Sequence, residues 1–283
     1  SCFFVEPDIW NVLDIAMKPL RNTGTRMLAE IHENYTIQLK MAEKGYWVYD
    51  FALPMLLLHG LYSGRTDRLL HWLNICPHNQ FTTLDTHDGI GVVDVVDLLA
   101  DDEIDYVREI VDKITEPAQQ YSKGHSMIKL TGKQARRYQL GCTYYNALDC
   151  NNEAYLLARA VQFFTPGIPQ VYYVGMLAGK NDIESLKNGG EGRSINRHNY
   201  SLEEIDEAVT QPVVQKLLKL MRFRNSYKVF DGKFSVTAEG PEQISMSWKD
   251  EDLYAVLNAI FKALQFEIRY WDAIENCEKT LEL

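Results

Sequence analysis

Short apolar runs alternate with amphipathic stretches along the first third of the chain. The spacing of their apolar positions predicts helices at residues 7–20, 35–43 and 55–73, the last broken near residues 60–64, and strands at residues 25–31, 46–51 and 80–85. Strands and helices that alternate over connections this short predict parallel βα units. Such units build a closed barrel or an open sheet, and in both the functional residues follow the carboxyl ends of the strands.

The alternation stops in the middle of the chain and then resumes. Residues 94–142 form a long polar stretch that starts with an acidic helix at 101–114, and its length predicts an inserted subdomain. Beyond it the pattern predicts a helix at 153–164, a strand at 170–174 and a long closing helix at 202–224.

The last part of the chain alternates with the two-residue period of strands. Residues 234–248 and 253–270 predict a small antiparallel C-terminal domain, although the apolar run 253–266 also fits a helix. We therefore divide the chain into barrel units with a preceding helix, an inserted subdomain, closing barrel units and a C-terminal β domain, at residues 1–93, 94–142, 143–227 and 228–283.

Composition and charge limit the kinds of partner that we expect for this chain. The formal net charge is −10, and no basic stripe is present that could displace counterions from phosphates, so we expect no nucleic acid partner. No apolar stretch approaches the roughly 18 residues that span a bilayer, so we expect no membrane segment. The five cysteines are scattered without a C-x-x-C pair, which indicates reduced thiols in a cytoplasmic protein.

Two carboxylates each end an apolar run beside a histidine. Glu30 lies close to His32, and Asp88 follows His87 directly. Glycosyl transfer uses a protonated carboxylic acid on the leaving oxygen and further carboxylates that stabilise an oxocarbenium-like centre. Glu30 and Asp88 fit these roles. They equally fit helix caps or loop carboxylates on a solvated rim, and spacing alone does not separate the two interpretations.

Other chemistries fit the residues less well. His32 with Glu30 or Glu33 could supply metal ligands, but the H-E-x-x-H spacing of such sites is missing. The same holds for His87 with Asp85 or Asp88. The sequence also contains no G-x-S-x-G elbow for a serine nucleophile and no glycine-rich phosphate loop. We therefore predict no metal site and no nucleotide site.

Six segments, in order along the chain, resemble those of the sucrose phosphorylases of the α-amylase superfamily (glycoside hydrolase family 13). They are similar to the segments at the fifth, sixth, seventh and eighth barrel strands and to two loops beyond the eighth, at residues 30–35, 49–54, 84–91, 166–175, 178–182 and 192–198. The resemblance implies an α/β fold: the C-terminal half of a (β/α)8 TIM-type barrel, with the inserted subdomain and the small antiparallel β C-terminal domain.

The resemblance also implies roles for individual residues. Glu30 would be the general acid/base and Asp88 the transition-state stabiliser. The glucosyl ring would be held by His87 and Arg197. Tyr138 and Gln139 match an acceptor-side loop that helps to switch between fructose and phosphate binding.

The implied reaction is a reversible, retaining phosphorolysis of sucrose or of a sucrose phosphate. A carboxylate attacks the anomeric carbon while Glu30 protonates the departing fructose, and phosphate then takes the glucosyl group as α-glucose 1-phosphate. The partners would be sucrose or sucrose 6'-phosphate and inorganic phosphate, with no metal or organic cofactor. Relatives are often dimers, which implies a homodimer.

Two features depart from the family. Its nucleophilic aspartate lies upstream of the segment similar to residues 1–7, so we expect the nucleophile and the first four strands to be missing and this chain to be inactive alone. Arg136 and Arg137 stand where the family usually carries an acidic residue. Guanidinium groups bind phosphate or carboxylate in bidentate fashion, so a phosphorylated fructosyl group or glycerate is the hypothetical acceptor. Alternatively, both arginines pair with surface acids.

Two other functions remain open from the sequence. One is a sucrose hydrolase or transglucosidase on the same fold, in which water or a sugar replaces phosphate. The other is a non-catalytic, truncated chain that binds sugar or a partner. Release of glucose 1-phosphate only in the presence of phosphate would distinguish the phosphorylase from both.

Overall fold

A four-stranded parallel sheet runs through the first two thirds of the chain. The computed structural model describes residues 5–116, 127–128 and 136–283. The sheet has the order β1 (Leu28–Ala29), β2 (Trp47–Asp50), β3 (Gln80–Thr82) and β8 (Ile168–Pro169). All three strand pairs are parallel, as the alternation of strands and helices predicts.

Helices connect and cover the strands. In chain order they span Asp8–Met17, Tyr35–Glu43, Leu53–Ser63, Asp67–Ile75, Asp101–Ile114, Tyr144–Ala147, Asn152–Phe164, Tyr173–Met176, Ile183–Lys187, Leu202–Ala208 and Pro212–Ser226. The helix Leu53–Ser63 follows β2 after two residues because the Asp50 carboxylate accepts the Leu53 N–H at 3.0 Å, which satisfies an N–H group at its first turn. Its buried residues and those of Asn152–Phe164 belong to one large apolar core.

An antiparallel sheet of five strands ends the chain. It consists of β9 (Lys233–Ala238), β10 (Gln243–Asp250), β11 (Leu253–Ile260), β12 (Gln265–Asp272) and β13 (Cys277–Thr280), each paired with the next. This confirms the predicted antiparallel sheet and decides for strands in the apolar run at 253–266. The Trp248 indole donates to the Phe164 carbonyl at 2.7 Å, so the sheet is anchored to the helix Asn152–Phe164.

Two short antiparallel ladders involve the stretch predicted as an inserted subdomain. β4 (Ile90–Gly91) pairs with β7 (Gln139–Leu140), and β5 (Met127–Ile128) pairs with β6 (Arg136–Arg137). The helix Asp101–Ile114 has the bounds that the sequence predicts, and its buried residues join the main core. The four-part division of the chain stays a prediction.

Several predicted elements differ from the structure; the strand predicted at 80–85, for example, spans only Gln80–Thr82. The strand expected at 170–174 is wrong: strand pairing ends at Ile168–Pro169, and Tyr173–Met176 is a helical turn in which Val174 is buried and Tyr173 is 40% exposed. An apolar run of this length fits a helical turn as well as a strand. The closing helix at 202–224 is two helices, because Pro212 starts a new helix after the extended residue Gln211. The first strand is shorter than the predicted 25–31.

Both edges of the parallel sheet lie beside exposed apolar side chains. The helix Asp8–Met17 packs near β1 through Trp10 and Leu13, yet it exposes Val12 at 57% and Ile15 at 73%. At the opposite edge, β8 exposes Ile168 at 46%. Among the helices that the structure describes, none has the length and apolar character needed to cross a bilayer.

Candidate active site

The candidate site lies where the parallel strands end. Glu30 follows the last residue of β1, and His87 and Asp88 lie in the loop after β3. Carboxyl ends of parallel strands meet at one edge of the sheet, which brings residues far apart in sequence together. The structure thus places Glu30 beside His87 and Asp88, as the strand pattern predicts.

His87 lies between the two carboxylates. Its Nε2 atom is 3.8 Å from Glu30 Oε1 and 3.4 Å from Asp88 Oδ1. Glu30 and His87 are about half exposed, whereas the Asp88 side chain is only 15% exposed. One oxygen of each carboxylate and a His87 nitrogen lie within 4.8 Å of one another, so all three groups can reach one sugar ring.

Two arginines converge on the Asp88 oxygen that faces His87. Arg193 Nη1 lies 3.1 Å and Arg197 Nη2 lies 3.3 Å from Asp88 Oδ1. Arg197 also donates from Nε to the His87 carbonyl at 2.8 Å. The sequence predicts Arg197 near this site, but Arg193 received no role. Its position four residues earlier in the same segment, 192–198, was the available signal.

The loop that carries His87 and Asp88 is fixed by its own hydrogen bonds. Thr86 Oγ1 accepts the Asp88 N–H at 3.1 Å, and the Thr86 carbonyl accepts from Asn196 Nδ2 at 2.8 Å. Gly89 has φ +95, and a Cβ atom there would collide with the Leu140 carbonyl of β7. The β7 backbone therefore passes close to the loop because residue 89 has no side chain.

A buried ion pair lies beneath the same loop. Asp85 accepts from Arg159 Nη2 with both carboxylate oxygens at 2.9 Å, and Arg159 is fully buried. Arg159 also donates to the Tyr155 hydroxyl at 2.7 Å. Asp85 therefore binds the helix Asn152–Phe164 rather than a ligand, and it ties the start of the loop to the core.

The two residues that the family resemblance predicts on the acceptor side lie around His32. The Tyr138 hydroxyl donates to the His32 carbonyl at 3.0 Å, and Gln139 Nε2 lies 3.2 Å from His32 Nε2. The other ring nitrogen, Nδ1, lies 3.1 Å from Asp94 Oδ2. Tyr138 and Gln139 thus contact His32, two residues after Glu30. Their role on the acceptor side stays a prediction. Asp94 was not predicted, and its sequence separation of 62 residues from His32 left no signal.

Burial raises the pKa values of two carboxylic acids and one tyrosine, Asp50, Asp94 and Tyr49. It raises the pKa of Asp50 to about 7, although the Trp72 indole N–H and backbone N–H groups hydrogen-bond to the carboxylate and oppose the change. Burial also raises the pKa of Asp94, against the hydrogen bond from His32. The pKa of Tyr49 is raised by burial and by the negative charge of Glu30.

The geometry also bears on the metal alternative. Glu30, His87 and Asp88 are close enough to hold a cation, but Asp88 Oδ1 is already the acceptor for two guanidinium groups. His32 and Asp85, which the metal interpretation would use, are engaged with Asp94 and Arg159. Carboxylates with arginines and a histidine favour recognition of a hydroxylated ligand over a metal centre. The side chains of Arg136 and Arg137 lie outside the described residues.

Similarity to a solved structure defines the fold class of the protein. The chain matches the crystal structure of an α-amylase from H. orenii with a TM-score of 0.56 at 13% identity, over 90% of this chain and 48% of that one, a likeness in fold alone. The fold is thus of the α-amylase-type (β/α)8 class, with an antiparallel sheet in addition. No protein-family model matches the chain.

Closer relatives define the family. The chain is 49% identical to a sucrose phosphorylase of Streptococcus mutans, over 86% of this chain and 50% of that protein. It matches the crystal structure of sucrose 6F-phosphate phosphorylase from Thermoanaerobacter thermosaccharolyticum with a TM-score of 0.89 at 42% identity, over 99% of this chain and 56% of the other. The chain therefore belongs to the sucrose phosphorylase family of glycoside hydrolase family 13. It spans about half the length of these relatives.

Proposed function

We propose that this chain carries the acid/base half of the active site of an enzyme that phosphorolyses sucrose or a sucrose phosphate. The observation that supports this most is the convergence of Glu30, His87, Asp88 and two arginines at the carboxyl ends of adjacent parallel strands. The names of the relatives supply the reaction. The products would be α-glucose 1-phosphate and fructose or its phosphate.

The proposal assigns one role to each group. Glu30, half exposed at the site, protonates the leaving fructosyl oxygen and later takes the proton of the attacking phosphate. Asp88 holds its charge toward the developing oxocarbenium centre, oriented by Arg193 and Arg197. His87 hydrogen-bonds the glucosyl hydroxyls, and Tyr138 and Gln139 face the acceptor.

We also propose that the parallel sheet is the C-terminal half of a barrel. Its four strands have two edges flanked by exposed apolar side chains, which further parallel strands would cover. The nucleophilic carboxylate would then come from that other half, and the described chain would not turn over by itself.

Replacing Glu30 tests the acid role. In the full-length protein, Glu30→Gln is expected to lower kcat for sucrose phosphorolysis by about 10²–10⁴-fold, because the fructosyl oxygen leaves unprotonated. With α-glucosyl fluoride as donor the loss should be much smaller, since fluoride departs without a proton. Release of glucose 1-phosphate measures both reactions.

A matched variant and three outcomes make this test specific. Glu33→Gln changes an acid three residues away whose carboxylate, among the described residues, accepts the Asn34 N–H, and its activity should stay within about threefold of the wild type. Equal losses with both donors, or none for Glu30→Gln, would refute the acid role. Glucose release that does not depend on phosphate would instead identify a hydrolase.

The acceptor is proposed to carry an anionic group bound by Arg136 and Arg137. One relative is a sucrose 6F-phosphate phosphorylase, and paired guanidinium groups suit a phosphate. In the full-length protein, Arg136→Ala is expected to raise the KM for sucrose 6'-phosphate about tenfold and leave that for sucrose unchanged. Lys133→Ala, three residues earlier, serves as the control for general loss of positive charge. An unchanged preference in Arg136→Ala would exclude the anionic acceptor.

A further inference from the structure

The two ring nitrogens of His32 have partners that admit one tautomer. Gln139 Nε2 lies 3.2 Å from His32 Nε2, and Asp94 Oδ2 lies 3.1 Å from Nδ1. An amide nitrogen can only donate a hydrogen bond, so Nε2 must accept it. The ring proton of the neutral imidazole then lies on Nδ1, where it is donated to the Asp94 carboxylate.

The ring is held so that it cannot exchange these partners. The side chains of His32 and Asp94 are only 7% and 2% exposed. The imidazole stacks on Phe51 with centroids 3.9 Å apart and planes inclined by 17°. The Tyr138 hydroxyl, which donates to the His32 carbonyl, fixes the backbone at the same residue.

Asp94 reaches the ring because Gly91 lies between them without a side chain. A Cβ atom at position 91 would collide with Asp94 Oδ2 and crowd His32 Nδ1. Gly91 is also the partner of Gln139 in the β4–β7 ladder. The pairing of Gly91 with Gln139 thus places Gln139 on one side of the His32 ring. Because Gly91 has no side chain, Asp94 fits on the other side.

We propose that Asp94 is a positioning residue for the acceptor side of the site. By holding the proton on Nδ1, it makes Nε2 of His32 an acceptor. Gln139 must then turn its amide nitrogen toward the ring and its carboxamide oxygen away from it, where that oxygen accepts from a hydroxyl of the acceptor sugar. The opposite tautomer would reverse the amide and present a donor to the acceptor instead. The acceptor part of this inference rests on the proposed function, whereas the tautomer does not.

The tautomer is tested directly by NMR of the full-length protein labelled with ¹⁵N-histidine. The two ring nitrogens of neutral histidine have distinct shifts when protonated and unprotonated, and His32→Gln identifies the signal. We expect a protonated Nδ1 in the wild type and a shift toward protonated Nε2 in Asp94→Asn, whose amide can donate to Nδ1. Finding Nε2 protonated in the wild type overturns the proposal whatever the activity is.

Kinetics then separates positioning from general damage. In the direction of sucrose synthesis, Asp94→Asn and Gln139→Leu should each raise the KM for the fructosyl acceptor about tenfold, the effect of one lost hydrogen bond, with kcat changed less than about threefold. Gln139→Leu should retain the wild-type tautomer, since Asp94 still accepts from Nδ1. If Asp94→Asn fails to fold, the wild-type spectrum and Gln139→Leu still decide the proposal.

Asp97→Asn is the matched control. Asp97 accepts from Asn34 Nδ2 at 3.1 Å, within the same pair of loops, and has no contact with the His32 ring among the described hydrogen bonds. It should change neither the tautomer nor the KM. A protein that shows the expected tautomer but no phosphorolysis would refute the proposed function and leave the Asp94–His32 contact intact. An acceptor KM unchanged in Gln139→Leu would refute the positioning role alone.

Discussion

At the scale of single residues, Asp88 depends on its neighbours for its orientation. Arg193, Arg197 and His87 all approach the same oxygen atom, at 3.1, 3.3 and 3.4 Å. Charge-assisted contacts of this kind fix a side chain better than a neutral hydrogen bond does. The carboxylate is therefore oriented before a ligand arrives, which would lower the cost of arranging charge in the proposed reaction.

The ion pair below this loop gives a prediction for stability. Arg159→Met should lower the free energy of unfolding by about 3–5 kcal/mol, because it leaves the buried Asp85 carboxylate without compensation. Urea unfolding measures the loss. Arg21→Met removes a pair with Asp14 that is 62% and 70% exposed, so it should cost less than about 1 kcal/mol. Similar losses in the two variants would contradict this view of the buried pair.

At the scale of elements, the sequence predicted the features that depend on neighbouring residues, such as where a helix begins and ends. The helix Tyr35–Glu43 has the predicted bounds because the Asn34 side chain accepts the Thr36 N–H at its start and Gly45 follows its end. The run at 170–174 was mistaken for a strand because the apolar composition of a short run does not distinguish a strand from a helical turn. Its position against β3 depends on pairing with residues that lie far away in sequence.

In the candidate site too, the features set by local sequence could be predicted and those set by long-range pairing could not. Glu30, His87 and Asp88 could be predicted because each follows a strand, and parallel strands end on one side. The roles came from the family resemblance. The contact of His32 with Asp94 could not be predicted, since it requires the β4–β7 pairing and a glycine at position 91. Neither feature has a local pattern.

At the scale of the whole molecule, the parallel sheet is open at both edges. β1 and β8 form its edges, and the adjacent surfaces expose Val12, Ile15 and Ile168. An uncovered sheet edge with apolar neighbours is a template for further strands or for association. The C-terminal sheet packs through Trp248 on the helix Asn152–Phe164.

This openness predicts self-association of the 283-residue chain. Sedimentation velocity should show oligomers whose proportion grows with concentration, and Ile15→Lys should reduce them because it places a charge in the apolar surface beside β1. Ile274→Lys is the matched control, since Ile274 is 95% exposed at the turn between β12 and β13, outside the parallel sheet. If the chain stays monomeric at all concentrations, or if both substitutions have equal effects, then self-association does not occur through the surfaces beside the sheet edges. A full-length protein in which Ile15→Lys instead prevents folding would indicate that the same surface is covered by the rest of the barrel.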